Sequence, residues 1–175
     1  VVRGGYLVVK VKTVKIDGKS IYIFNSALYI FESSIGYTLE LDLIVTEVVL
    51  KKYRNEENLI IEIELEDGRI ISSIMNVKVL PGGLPQLNLY CELDEGELKL
   101  YHDLERVNES DLTFPDIEKG LTLEEIRKVE MPNETVKLKL SLPIDQAEWL
   151  EKQKARELNE IFKQLIYEYW HKKND

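Results

Sequence analysis

The sequence predicts an α+β fold: an antiparallel β-barrel or sandwich of about eight to nine strands, closed by a long C-terminal α-helix. Residues 6–103 contain short segments in which apolar and polar residues alternate, the pattern of strands with one buried face. Turn signals separate these segments at a spacing of about 8–12 residues, as in all-β barrels and sandwiches. From Gln146 to Trp170 there is no Gly or Pro, and apolar residues recur at three- and four-residue steps, as in an amphipathic helix.

The alternation is strictest in two segments that we predict to be strands. Residues 39–43 read Leu-Glu-Leu-Asp-Leu, and residues 61–66 read Ile-Glu-Ile-Glu-Leu-Glu. Because successive side chains of a strand point to opposite faces, the apolar members lie on a buried face and the acidic members on an exposed one. Asp17-Gly18 and Asp67-Gly68 separate such segments. We expect a hairpin at both positions, since Gly accepts the positive φ that a tight turn demands.

Four irregularities interrupt the predicted strands. The alternation shifts by one residue at Thr13, which predicts a β-bulge there. Residues 54–58 are expected to form a longer polar loop. Residues 81–85 (Pro-Gly-Gly-Leu-Pro) are expected to interrupt regular structure, because neither a strand nor a helix accommodates this run of Pro and Gly. Glu95-Gly96 is expected to turn the chain into a further strand over residues 97–102.

Residues 104–134 are an acidic insertion with one short helix, because Thr122 and Glu125 form a capping box. The formal net charge of the chain is −9. Residues 92–134 carry all of it, with 14 acidic and 5 basic side chains. Two interpretations stay open for this acidic segment: a solvated lid over the sheet, or a docking surface for a basic partner.

The C-terminal part of the chain is predicted to be one strand followed by one helix. Residues 135–142 (Thr-Val-Lys-Leu-Lys-Leu-Ser-Leu) alternate cleanly and predict the last strand. The helix is expected over residues 145–171, with Asp145 as its N-cap. The whole chain, residues 1–175, is then one domain.

Composition excludes several classes of protein. A chain with a pI near 4.9 is a poor nucleic-acid binder, because that affinity comes mostly from Lys and Arg neutralising phosphates. No apolar run approaches the roughly 20 residues of a membrane span, so membrane association is not expected. The first residues lack the apolar region of a secretory signal, and Cys91 is the single cysteine. We therefore expect a cytoplasmic protein.

Two local stretches resemble the pleckstrin-homology (PH-like) superfold. Residues 19–32 (Lys-Ser-Ile-Tyr-Ile-Phe-Asn-Ser-Ala-Leu-Tyr-Ile-Phe-Glu) resemble the second and third strands of the bacterial PH and GRAM groups. Residues 144–150 (Ile-Asp-Gln-Ala-Glu-Trp-Leu) resemble the start of the PH closing helix, which would place Trp149 on its core face. The resemblance covers about residues 6–80 and 135–165; a PH domain has seven strands, fewer than this chain predicts. It implies a binding module that engages phosphoinositide headgroups or protein partners.

Lysines of the first predicted hairpin are the candidate contacts for an anionic ligand or lipid headgroup. Lys10, Lys12, Lys15 and Lys19 occupy the position that lipid-binding PH-like domains use. The second strand lacks the Arg that those domains usually add. The alternative is that these lysines occupy the exposed face of an edge strand, where they discourage aggregation.

No catalytic or cofactor motif is present. His102 and His171 are far apart in the sequence, and a zinc site would need both histidines and a carboxylate. The chain has no phosphate-binding or dinucleotide-binding glycine pattern. Cys91 falls on the apolar side of its strand, which favours an inert core thiol. We expect no metal, no cofactor and no enzymatic activity; the alternative is a hydrolase with a carboxylate pair that the sequence does not single out.

The end of the helix is the candidate protein interface. A helix over these residues would be about 38 Å long, longer than the expected barrel is wide. Its end would then expose an apolar strip that a monomer does not tolerate. The interface residues are Ile161, Leu165, Tyr167, Tyr169 and Trp170. The favoured function is therefore a non-enzymatic binding or adaptor module acting through protein contacts, with a homodimer or a protein partner.

Overall fold

The computed structural model describes residues 2–3, 6–7, 9–79, 83–111 and 114–174, with side chains described from residue 9 onward. These residues form two compact units, Val1–Asn133 and Glu134–Asp175. The single domain expected over residues 1–175 stays a prediction.

The first unit is built on an eight-stranded sheet. Its strands follow the order β10-β5-β6-β9-β8-β7-β3-β4. All neighbours are antiparallel except β10 and β5, which are parallel. The strands are β3 (Val11–Ile16), β4 (Lys19–Ile21), β5 (Asn25–Ser33), β6 (Gly36–Ile44), β7 (Asn58–Leu65), β8 (Ile70–Val79), β9 (Gln86–Leu93) and β10 (Glu105–Asn108). A separate two-stranded ribbon joins β1 (Val2–Arg3) and β2 (Tyr6–Leu7).

The sheet is open, because its edge strands β4 and β10 do not pair with each other in the described part of the chain. A mixed α+β fold with a mainly antiparallel sheet and C-terminal helical structure is thus confirmed. Closure into a barrel and the PH-like class stay predictions.

The two hairpin turns predicted at Asp17-Gly18 and Asp67-Gly68 are confirmed. Asp17 and Gly18 connect β3 to β4 with φ values of 48° and 77°, and Gly68 connects β7 to β8 with a φ of 90°. The pairing of β3 with β7 shifts between Val11 and Thr13, which is the predicted bulge. The predicted break at residues 81–85 lies partly outside the described residues, and its described part, 83–85, separates β8 from β9.

The main core lies on one face of this sheet. Leu39, Leu41 and Leu43 of the interior strand β6, which lies between β5 and β9, are at most 1% exposed. Each fully buried Leu or Ile contributes about 1.5–3 kcal/mol of transfer free energy, so this face dominates the stability of the unit. The core also contains Val14, Ile16, Leu28, Ile30, Leu59, Ile61, Ile63, Leu65, Ile71, Met75, Leu87 and Leu89.

Two short helices replace structure that the sequence predicted otherwise. Helix α1 (Glu47–Tyr53) follows β6, and Val49 N donates to the side chain of its N-cap, Thr46. Helix α2 (Glu95–Leu100) stands where a strand over 97–102 was expected, so that prediction is wrong. The reason is local: Asp94 and Glu97 form a reciprocal capping box, which satisfies backbone donors that a helix start leaves free.

Residues 114–130 cover part of the opposite face of the sheet. Helix α3 (Leu123–Val129) begins with the predicted capping box of Thr122 and Glu125. Ile117 and Ile126 form a second buried cluster with Ile44 of β6. The acidic insertion therefore also contributes core residues, and its strand β10 extends the sheet, which the sequence did not indicate.

The second unit contains two helices and no strand among its described residues. Residues 134–143 have no regular structure, so the predicted strand over 135–142 is wrong. A strand needs a neighbour to satisfy its backbone hydrogen bonds, and in this unit none is present.

The predicted single helix over 145–171 is also wrong in detail. It is divided into α4 (Ile144–Glu151) and α5 (Ala155–Asn174). The N-cap position of α4 is Pro143, without a side-chain cap, rather than Asp145. The break follows from a tight turn, in which Lys152 N donates to Trp149 O and Gln153 N donates to Leu150 O.

Candidate functional site

The structure pairs two of the four candidate lysines with glutamates of the adjacent strand. Lys12 Nζ lies 2.8 Å from Glu64 Oε1, and Lys15 Nζ lies 2.8 Å from Glu62 Oε1. These pairs follow from the β3–β7 register, in which Lys15 faces Glu62. A hydrogen bond from each lysine to its glutamate, together with the opposite charge, raises the pKa of both lysines. Their positive charge is therefore offset locally.

Lys10 and Lys19 are the remaining two candidate lysines. Both are exposed, and neither forms an ion pair within 4 Å among the described residues. Two exposed lysines against a formal net charge of −9 are a weak anchor for an anionic surface, because each juxtamembrane Lys contributes only about 1 kcal/mol.

We expect no binding of this protein to vesicles of phosphatidylcholine and phosphatidylserine at about 0.15 M salt, where screening further weakens exposed charges. Co-sedimentation with the vesicles measures this, and vesicles of phosphatidylcholine alone are the control. Robust binding that the double substitution Lys10→Glu and Lys12→Glu abolishes would instead show that the lysines form a lipid site.

A different cluster of polar groups lies on the face of the sheet opposite the main core. We call it the carboxylate pocket: a cavity of about 390 Å³ whose polar lining includes Tyr29, Glu40, Asp42 and Asn88. The strand pairing brings these groups together, because Tyr29 faces Glu40 and Asp42 faces Asn88. Residues 114–115 border the cavity.

Hydrogen bonds connect the two carboxylates of this pocket. Asn88 Nδ2 donates to Asp42 Oδ1 and to Glu40 Oε2, both at 2.7 Å. Tyr29 Oη donates to Asp42 Oδ2 at 3.0 Å, and Thr38 Oγ1 donates to Glu40 Oε1 at 2.7 Å. Asp42 is only 3% exposed and Asn88 only 4%, so these polar groups are held in a nearly dry environment.

Burial sets the electrostatics of the carboxylate pocket. It raises the pKa of both Asp42 and Glu40, although the hydrogen bonds from Asn88 act in the opposite direction. Burial and the charge of Asp42 also raise the pKa of Tyr29, which therefore stays a neutral donor at ordinary pH. The ionised carboxylates are thus under-solvated, and a positive charge placed beside them would be stabilised.

Aromatic side chains form another wall of the same pocket. The rings of Phe31 and Phe114 stack with centroids 6.1 Å apart, and Tyr29 meets Phe114 edge to face at 6.4 Å. Lys78 of β8 and Gln86 of β9 also line the pocket. The pocket therefore combines anionic acceptors with apolar ring surface.

Glu40 and Asp42 are two neighbouring carboxylates that share the donor Asn88 Nδ2, so they are the pair to consider for the hydrolase alternative. The two groups are not differentiated, however, because burial raises both pKa values and one amide donates to both. Acid and base roles usually need environments that move the two pKa values apart. Among the described residues, no group of three or more His, Cys, Asp or Glu side chains is arranged to hold a metal ion.

Sequence reasoning assigned these carboxylates to an exposed face and so missed the pocket. The alternation of residues 39–43 gives the face of Glu40 and Asp42 but not what covers it. One signal was available: Tyr29, Phe31 and Asn88 also fall on non-core positions of predicted strands. Large aromatic groups on the supposed exposed face indicate partial cover.

The predicted interface residues lie exposed on α5. Their exposed fractions run from 46% for Ile161 to 66% for Tyr169. The imidazole of His171 meets the Tyr167 ring at 4.3 Å and the Trp170 ring at 5.2 Å, both edge to face. These contacts within one helix order the aromatic groups at its end.

A groove of about 500 Å³ lies within the second unit, lined by apolar side chains that include Leu140, Trp149 and Phe162. Trp149, the residue that the PH-like resemblance would place on a core face, is 53% exposed. About half of this residue's surface is therefore open to a further contact.

Cys91 is half-buried against the main core. Burial raises the pKa of its thiol, which disfavours the reactive thiolate at neutral pH. Its environment fits the expected core thiol.

None of the helices in the described part of the chain is both long enough and apolar enough to cross a membrane. Comparison with protein-family models, curated proteins and solved structures gave no match. The function is therefore inferred from the chain's own residues and geometry.

Proposed function

We propose that this protein is a non-enzymatic binding module that acts through protein contacts made by residues 134–174. One observation supports the proposal most: none of these residues is buried. Their exposed large apolar side chains are Val136, Leu138, Leu140, Leu142, Ile144, Trp149, Ile161, Leu165, Ile166, Tyr167, Tyr169 and Trp170.

Such a unit is too small to stabilise itself. Folding units of about 40 residues or fewer usually need disulfides, metals or oligomerisation to be stable. Cys91, the single cysteine of the chain, lies outside this unit, so an internal disulfide is excluded. Contact with another protein surface would remove this apolar area from water, at about 25 cal/mol per Å².

Helix α5 has the pattern of a helix that pairs with another helix. Ala155, Leu158, Phe162, Leu165 and Tyr169 follow one another at alternating three- and four-residue steps, which is the a/d spacing of a coiled coil. Ile161, Ile166 and Trp170 flank this stripe and widen its apolar surface.

The partner that fits best is a second copy of the same helix. The first turn of α5 carries Glu157, and its last turn carries His171, Lys172 and Lys173. In an antiparallel pair, Glu157 in the first turn of each helix would lie beside the basic end of the other, although Arg156 in the same turn offsets part of this attraction. The antiparallel arrangement of the two helix dipoles is also favourable. Self-association through α5 would place Tyr169 and Trp170 at the contact, and such aromatic groups are enriched at interface hot spots.

We expect the intact chain to sediment as a dimer at micromolar concentration, and a chain truncated after Gln164 to sediment as a folded monomer. The truncation removes Leu165, Tyr169 and Trp170 but none of the residues of the first unit. Sedimentation velocity measures the mass, and circular dichroism checks that the sheet persists.

A matched control is Ile35→Asp, which places a charge on an apolar side chain that is 96% exposed in the first unit. This variant should stay dimeric, whereas Leu165→Asp should dissociate. If the truncated chain unfolds, the removed residues belong to the protein's own core and the interface proposal is wrong. If the intact chain is a monomer, self-association is wrong.

A further inference from the structure

We propose that the carboxylate pocket is a binding site for an organic cation, a ligand that presents an ammonium or guanidinium group to Glu40 and Asp42. The site belongs to the first unit and does not depend on the function proposed for residues 134–174.

The pocket has hydrogen-bond acceptors that the protein leaves unfilled. Each of the four carboxylate oxygens of Glu40 and Asp42 accepts one hydrogen bond from the described residues, and each such oxygen has room for about two. Asn88 uses its amide nitrogen for both carboxylates, and no described residue donates to its Oδ1 atom although the side chain is 4% exposed. Among the described residues, every side-chain nitrogen or oxygen that is sealed from solvent has a hydrogen-bond partner. Because Asn88 Oδ1 has no such partner, it is not sealed, and we infer that it is open to the cavity.

The charge of the pocket is also not balanced. It contains two carboxylates and one lysine, Lys78. Among the described residues, Lys78 forms no ion pair within 4 Å, although its charge does act on Glu40. Burial without full neutralisation is costly for carboxylates, and a bound cation would offset that cost.

The aromatic wall distinguishes an organic cation from other ligands. Phe31 and Phe114 line the same cavity as the carboxylates, and ring faces attract ammonium and guanidinium groups by about 0.5–2 kcal/mol. A metal ion fits this lining less well, because among the described residues no group of three or more His, Cys, Asp or Glu side chains is arranged to hold one. An anion would be repelled. The volume of about 390 Å³ is within the range of about 300–1,000 Å³ for small-molecule sites.

Two sources can present this chemistry: a free amine, or the Lys or Arg side chain of another protein. Calorimetric titration of the full chain with agmatine tests the first, and titration with N-acetyl-arginine amide tests the second. The neutral control is N-acetyl-citrulline amide, which has nearly the same shape without the charge. We expect at least one of the two cations to bind at least tenfold more tightly than the neutral control.

Three substitutions test the site, and they are expected to weaken, strengthen and leave unchanged the affinity for the cation. Glu40→Gln, which keeps shape and removes one charge, should weaken cation binding by about tenfold or more, the effect of losing one charge-assisted hydrogen bond. Lys78→Gln should strengthen it, because it removes a competing cation. The matched control is Glu92→Gln, an exposed carboxylate of β9 outside the pocket, which should change the affinity less than twofold.

Three results would overturn the proposal. The first is binding of the citrulline control as tightly as the cations, which would show that the pocket recognises shape rather than charge. The second is weaker binding of the cations after Lys78→Gln, which would show that Lys78 supports the bound ligand rather than competing with it for the carboxylates. The third is no binding of either cation at millimolar concentration. Because the first and third results need only the unmodified chain, they hold even if a variant fails to fold.

Discussion

Replacing Leu41 by alanine is expected to lower the free energy of unfolding by about 2–5 kcal/mol, the range for a buried leucine that leaves a cavity. Leu41 is 0% exposed and lies in the middle of β6, directly opposite Leu28 of β5 and Leu89 of β9. Both neighbours are buried, so the cavity is closed on both sides. Urea denaturation followed by circular dichroism measures the change.

The matched control for this substitution is Leu100→Ala in helix α2 of the first unit. Leu100 is 67% exposed, and substitutions at such positions usually change the stability by less than about 0.5 kcal/mol. Equal effects of the two substitutions would contradict the placement of Leu41 in the buried core of an interior strand.

Replacing Asp42 by alanine is the second large expected effect, a loss of about 2–4 kcal/mol of stability at acidic pH. The substitution removes the acceptor of the Tyr29 hydroxyl and one of the two acceptors of Asn88 Nδ2. Asn88 is nearly buried, so water does not readily replace the lost carboxylate. An unpaired buried donor costs about 1–3 kcal/mol. Chemical denaturation at several pH values measures the loss, and Glu92→Ala, an exposed carboxylate of a neighbouring strand, is the control.

The pH dependence of this loss has a definite sign. Burial raises the folded-state pKa of Asp42 above its ordinary value of 3.8, which applies to the unfolded state. At a pH between the unfolded-state and the folded-state pKa, the folded state therefore binds the proton more tightly. The stability that Asp42 contributes is therefore full below about pH 4 and decreases as the pH rises through the folded-state pKa. The cost of Asp42→Ala should be smaller at pH 7 than at pH 4.

Other carboxylates of the first unit act in the opposite direction. Hydrogen bonds from Arg69 hold the pKa of Asp103 below its ordinary value, so its contribution is lost as the pH falls. Because these opposite contributions overlap in the intact chain, the contribution of Asp42 is measured as the difference in the free energy of unfolding between the intact chain and the Asp42→Ala variant at each pH. A cost of Asp42→Ala that increases with pH would contradict the burial of this carboxylate.

Local signals of the sequence predicted those features whose cause lies within a few residues. The turn at Asp17-Gly18 depends on the backbone freedom of the turn residues themselves, and the start of α3 depends on Thr122 and Glu125 alone. The bulge near Thr13 was predicted because the alternation of its own strand shifts there. The same alternation predicted the buried face of β6, with Leu39, Leu41 and Leu43. Helix α2 was missed although Asp94 and Glu97 gave the same kind of local signal.

Tertiary structure decided the features that depend on a distant partner. Residues 135–142 have the alternation of a strand, but a strand also needs a neighbour to pair with. The sequence alone gives no partner for Lys12 and Lys15. The register of β3 and β7 places Glu64 and Glu62 beside them, and each lysine forms an ion pair.

The carboxylate pocket shows most clearly which features the sequence determines and which depend on the tertiary structure. The sequence by itself determined that Glu40 and Asp42 share one face of a strand, because side chains alternate along any strand. Only the tertiary structure decided that this face is covered, since the covering residues 114–115 and the partner Asn88 come from other parts of the chain. A period of two residues gives the direction of a side chain, but its burial depends on which segment packs over it.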